Sequence, residues 1–140
     1  MKVLDVNVLV NALRSDTPQH EIAFDLLDRA RTGREPVVIL TEVAAGFVRI
    51  VTRPGLFAHP EDADSAMAAL RAWCSGPRVR VSEAGAGRWH RFERLMARHD
   101  LVGADVHDGL LAAACLDLSA TLVTFDRGFT RFEELALELL

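Results

Sequence analysis

The sequence predicts an α/β domain of three layers, with helices on both faces of a mainly parallel sheet of four to five strands. Three observations lead there. Short, almost wholly apolar runs stand at residues 2–6, 36–40 and 120–125, as expected of strands covered on both faces. Stretches with helical periodicity lie between them, so strands and helices alternate. The 140 residues, half hydrophobic and about a quarter charged, suit one domain over residues 1–140 with enough apolar surface to bury a core.

The first run, KVLDV (2–6), reads as a buried strand interrupted by one acid, Asp5. VLVNAL turns directly into a short helix. Residues 18–32 form an amphipathic helix with Pro18 near its start, Ile22, Leu26 and Leu27 on one face, and Gly33 at its end. PVVIL (36–40) is a second buried strand. Thr41 can cap the helix that follows over 42–52, which stops before Arg53-Pro54-Gly55. A loop with Pro60 leads to a helix over 61–74. VRV (79–81) is a short third strand, and residues 85–99 are helical and arginine-rich. Another helix covers 106–118, ATLVTF (120–125) is a strand, a turn carries Phe129 and Phe132, and the tail LALEL is a short edge strand.

Composition narrows the function. No apolar run reaches the length of a membrane span, and Met1 runs straight into the first strand, leaving no room for a signal peptide. Cys74 and Cys115 lie far apart without metal-ligand spacing and read as buried free thiols. Together these features point to the cytoplasm. A formal net charge of −4 argues against a large electrostatic footprint on nucleic acid, but it is compatible with a nuclease whose acids gather at one site.

In a sheet of this kind, ligands bind beyond the carboxyl ends of the strands, where strand order reverses. Asp5 ends the first strand, Glu42 follows the second and Asp126 follows ATLVTF. A fourth acid arrives by helix phase: Asp108 begins the stripe Asp108, Leu111, Ala112, Cys115, and so faces inward at a helix N-terminus. Asp105, one turn earlier, is a cap candidate, and Asp117 lies on the opposite, solvated face. Taken singly, each acid has a plain reading as a cap, a turn or a dipole partner. Four at one sheet edge would repel one another unless a cation sat between them. Hard oxygen donors suit Mg²⁺ or Mn²⁺, and such a centre suits phosphodiester hydrolysis. A buried Asp5 would then be tolerated because a metal pairs with it. The GAG at 85–87 is too weak to count as a phosphate loop.

LDVNVLV at the start, TEVAAGFVRIVTRPGLF from 41, DGLLAAAC from 108 and TLVTFDRGFTRF from 121 follow one another in an order that resembles the PIN-domain ribonucleases, specifically the VapC toxins of toxin–antitoxin pairs. The resemblance implies a PIN-like fold and a Mg²⁺- or Mn²⁺-dependent endoribonuclease with Asp5, Glu42, Asp108 and Asp126 as its catalytic, metal-binding acids. It also implies that Asn7 steadies Asp5 and that Thr124 is the hydroxyl residue preceding the last acid. A homodimer and a VapB-type antitoxin are implied as partners. Where many relatives carry a further acid in the last motif, this chain has Gly128. Asp105 is a supporting residue. Arg49 and Arg53, at i+7 and i+11 from Glu42, are candidates for RNA phosphate contact. His107 reads as a flanking surface histidine. The helix bearing Trp89, His90 and arginines 88, 91, 94 and 98 reads as an ordinary exposed face. Two other readings compete. A phosphatase or receiver domain would want a second Asp at position 7 or a late lysine, and Lys2 is the only lysine. A PIN-like module that binds RNA or protein without cutting it is the alternative function.

Overall fold

The computed structural model describes residues 1–140. In chain order the elements are β1 (Lys2–Leu4), α1 (Val6–Leu13), α2 (His20–Thr32), β2 (Val37–Leu40), α3 (Thr41–Val51), α4 (Ala63–Trp73), β3 (Val79–Ser82), α5 (Arg88–His99), α6 (Asp105–Asp117), β4 (Thr121–Thr124), a 3-10 helix (Arg127–Arg131) and β5 (Leu137–Leu139). The five strands form one sheet in the order β3-β2-β1-β4-β5. Every pairing is parallel, as expected for buried apolar strands; Val3 pairs with Val38 on one side and Leu122 on the other. The LALEL tail supplies the edge strand β5.

Strand order reverses once. The chain runs outward from β1 through β2 to β3, then returns to β4 on the far side of β1. Crossovers between parallel strands are right-handed, so the two directions of travel put their helices on opposite faces. Helices α1 to α4 pack among themselves, while α5 packs on α6. A core cluster of 31 buried residues fills both interfaces, with Leu4, Ile39 and Leu122 from the sheet and Phe47, Leu95 and Ala112 from the helices. The reversal lies between β1 and β4, and ligands of doubly wound sheets bind beyond the carboxyl ends of the strands that flank such a reversal.

Several expectations need correction. The first strand stops at Leu4, and α1 begins at Val6 with Asp5 as its N-cap. The carboxylate is therefore better placed at a helix start than inside a strand, because the first N–H groups of a helix lack intrahelical partners. Helix α2 begins at His20, and residues 14–19 form a turn ahead of it. Ile22 is 51% exposed; Ala23 and Leu27 carry the buried face instead. Thr41 is the first residue of α3 and makes no capping bond. Asp62 caps α4, its side chain accepting from Ser65 N at 2.7 Å. Asp105 is inside the first turn of α6, which has Ala104 as its N-cap and no side-chain cap. Asp117 is not solvated: it is 14% exposed and lies 3.4 Å from Arg91 Nε. The turn at Gly85 and Gly87 closes on it, and a Cβ at either glycine would fall within 2.2 Å of an Asp117 oxygen.

Candidate active site

The site grows from the end of β1. Asp5 is 6% exposed. Its Oδ1 accepts from Val6 N at 2.6 Å, and its Oδ2 accepts from Asn7 Nδ2 at 2.8 Å and Thr124 Oγ1 at 2.6 Å. Burial nevertheless pushes the Asp5 carboxyl above its ordinary value. The Thr124 and Val6 bonds oppose that rise, the charge of Asp126 adds to it, and His107 opposes it. The carboxylate is thus fully held yet short of positive charge.

Thr124 and Asn7 hold Asp5 as a unit. Thr124 is wholly buried at the end of β4. Its hydroxyl donates to Asp5 and accepts from Asn7 Nδ2 and from the Asp126 backbone N–H, each at 2.9 Å. Asn7 Oδ1 accepts from Phe125 N at 3.3 Å. Both side chains therefore bridge the two strands that flank the reversal. Asp126 caps the 3-10 helix and accepts from Gly128 N at 2.7 Å. A Cβ at Gly128 would stand 3.0 Å from Asp126 Oδ1, so the glycine gives Asp126 room to fold back on its own turn.

Asp108, in the first turn of α6, is partly buried. Burial raises its pKa, Arg131 counters that, and Asp126, Asp5 and Asp105 raise it further. Asp5, Asp108 and Asp126 therefore share one electrostatic neighbourhood. Glu42 stands apart from it: from the first turn of α3 it pairs with Arg88 of α5. Glu42 also lines a groove of about 350 Å³ with Arg49, Gly46 and His107. Arg49 and His107 are exposed there, whereas Arg53 follows the end of α3 in an exposed loop outside the groove. No three acidic, histidine or cysteine side chains are close enough to share an ion as the side chains stand.

Two residues were missed as parts of the site. Arg131 contacts Asp105 at 2.9 Å and Asp108 at 2.7 Å, and Arg88 contacts Glu42. Their signal in the sequence was charge parity, since an acid cluster in a weakly charged core calls for cations. On α5, Arg91 pairs with Asp117, and Arg98 with Glu133 and Glu134. The face is therefore exposed at Trp89, His90, Arg94 and Arg98, whereas Arg88 and Arg91 are part-buried against their partners.

The donor set fits a hard divalent cation. Every acid side chain at this sheet edge offers carboxylate oxygen, and burial raises two of the carboxyls, Asp5 against its hydrogen bonds and Asp108 against Arg131.

The PIN domain family model matches residues 2–135. Ribonuclease VapC43 of Mycobacterium tuberculosis (strain H37Rv) is 37% identical over 135 residues, covering 96% of this chain and 92% of that protein. Ribonuclease VapC37 of the same strain is 28% identical over 133 residues, covering 95% and 92%. Among solved structures, VapBC2 from Rickettsia felis bound to a promoter DNA fragment superposes with a TM-score of 0.71 at 20% identity, covering 99% of this chain and 97% of that one. Mycobacterium tuberculosis VapC20, a sarcin-ricin loop cleaving toxin, superposes with a TM-score of 0.69 at 16% identity, covering 94% and 95%.

Proposed function

The chain belongs to the PIN-domain family as a VapC-type ribonuclease, the toxin of a VapBC toxin–antitoxin system, and from that premise we propose that it hydrolyses RNA at the carboxylates around Asp5 with Mg²⁺ or Mn²⁺. One observation carries the assignment of the site. Asp5 is buried at the strand-order reversal, held by three donors, and still has its pKa raised while the charges of Asp108 and Asp126 press on the same space.

Asp5, Asp108 and Asp126 would hold the cation, with Glu42 the fourth acid of the set at the neighbouring groove. When bound, a divalent cation neutralises phosphate charge and makes water a better nucleophile. The chain's own residues do the rest. Asn7 and Thr124 fix one Asp5 oxygen and the Val6 N–H the other, so no reorganisation is needed as charge develops. Burial of Asp5 keeps the local dielectric low and strengthens each charge interaction. Arg49, exposed in the groove beside Glu42, would meet an RNA phosphate, and the exposed Arg53, outside that groove, would be a second contact. The partners in this reading are the RNA substrate, a VapB-type antitoxin and a second copy of the chain.

The test is cleavage of end-labelled RNA by wild type and Asp5→Asn, with Mg²⁺ or Mn²⁺ and with EDTA. Loss of cleavage in both EDTA and the variant is expected. A variant that keeps more than about a tenth of wild-type activity, a barrier change under about 1.4 kcal/mol, would refute the role given to Asp5.

A further inference from the structure

Arg131 ends the 3-10 helix after β4 and reaches across to α6. Its guanidinium spans one helical turn: Nη1 lies 2.9 Å from Asp105 Oδ2 and Nη2 lies 2.7 Å from Asp108 Oδ2. The guanidinium carbon rests 5.0 Å from the centroid of the Phe132 ring. Phe132 is itself 2% exposed and is packed by His99, at 5.1 Å, and by Phe129. Nε is buried without a partner. The arginine is therefore seated on an aromatic platform, and its two terminal nitrogens, one to each carboxylate, fix the spacing between two acids that would otherwise repel across one turn.

We propose that Arg131 is a positioning residue that divides the α6 carboxylates: it fixes Asp108 by Oδ2, leaves Asp108 Oδ1 to a divalent cation, and withholds Asp105 from the centre. This rests on the metal-assisted reading above and deepens it, since two acids stand in the first turn of α6. The arrangement explains how one of them is chosen. Asp108 is more buried than Asp105, with side-chain exposures of 27% and 48%, and the arginine engages one oxygen of each. Groups that grip a ligand from behind commonly tune metal affinity by about 10–100-fold. The fork is what matters, so charge alone does not replace it: a lysine keeps the positive charge but presents a single point donor.

The experiment is Mn²⁺ binding, read by calorimetry and by the free-ion paramagnetic resonance signal, on the full chain in wild type, Arg131→Lys and Asp105→Asn. Each is also melted in chelator. Arg131→Lys should weaken Mn²⁺ binding by about fivefold or more, with a melting midpoint in chelator within a few degrees of wild type. Asp105→Asn should bind Mn²⁺ within about twofold of wild type, and, as an exposed isosteric change, it keeps the test decisive if the lysine variant folds poorly. Unchanged or tighter binding in Arg131→Lys would overturn the proposal, as would a loss in Asp105→Asn as large as that expected of Arg131→Lys. Absence of Mn²⁺ binding in the wild type would instead overturn the metal-assisted reading, and this proposal with it.

Discussion

Thr124 and Asp5, 119 positions apart in the chain, are joined by a 2.6 Å hydrogen bond in which the threonine hydroxyl donates to Asp5 Oδ2. The same hydroxyl accepts from Asn7 and from the Asp126 backbone. One buried oxygen thus ties the ends of β1 and β4 together and orients two acids at once.

Thr124→Val keeps the shape and removes that oxygen, leaving the Asp126 N–H without its acceptor, the Asn7 amide with Asp5 alone and Asp5 Oδ2 short of one donor. The expected cost is about 1–3 kcal/mol of stability, with RNA cleavage falling further than stability does. Thr124→Ser should restore most of both. Urea unfolding and cleavage assays on the two variants decide it: a valine variant that cleaves like wild type would show that the hydroxyl does not orient Asp5.

Asp108→Asn should melt in chelator at or above the wild-type temperature at neutral pH. The amide oxygen still accepts from Arg131, while the like-charge pressure from Asp5 and Asp126 disappears. The sign follows from the raised pKa of Asp108. A carboxyl raised on folding loses stability for the native state as pH climbs from the ordinary carboxylate value, 3.8, through the folded one. Saturating Mn²⁺ should reverse this in the wild type, by about 2.7 kcal/mol at a hundred times the dissociation constant, and should do much less in the variant. Paired thermal melts check both halves. Equal metal shifts would place Asp108 outside the cation's reach.

Cleavage should leave 5′-phosphate and 3′-hydroxyl ends. Attack by water in line with the leaving oxygen needs no ribose 2′-hydroxyl as nucleophile. Ligation-based end mapping distinguishes these products from 2′,3′-cyclic phosphates, whose appearance would contradict the mechanism.

The two cysteines should differ sharply in reactivity. Burial pushes the Cys115 thiol up to about 12, whereas Cys74 is part-exposed with a smaller rise. At pH 8 the Cys115 thiol is therefore protonated as well as buried, and only the thiolate reacts. A thiol-labelling time course on the native protein should therefore count one slow thiol, with the second appearing only in denaturant. Two thiols at native rates would mean that the α6 face opens readily.

What the sequence revealed and what it hid divide along physical lines. The apolar runs marked three of the strands, the short VRV the fourth and the LALEL tail the fifth, because the inner strands of a parallel sheet are buried on both faces and need continuous hydrophobicity. Acids placed just after strands were legible for the same reason: a charge that interrupts such a run stands out. Asp117 misled because helical phase alone puts it opposite the stripe of Asp108. Its burial comes from the turn at Gly85 and Gly87, a contact 30 residues away in sequence. Ile22 misled because α2 is packed through small Ala23 and Leu27, and periodicity cannot tell a covered apolar face from a bare one. The partners Arg88 and Arg131 were hidden because ion pairs across 46 and 23 positions leave no local pattern.

The link between positions 5 and 124 also governs when the enzyme comes into being. β1 is the middle strand, yet one of its two neighbours, β4, is made from residues 121–124, and Asp126 and Arg131 come later still. A chain growing on a ribosome carries Asp5, Val6 and Asn7 long before Thr124, so the buried hydroxyl that completes the setting of Asp5 arrives only 119 residues later. Products that stop short of residue 124 therefore lack the oxygen that orients Asp5, and on the metal-assisted reading they do not cleave.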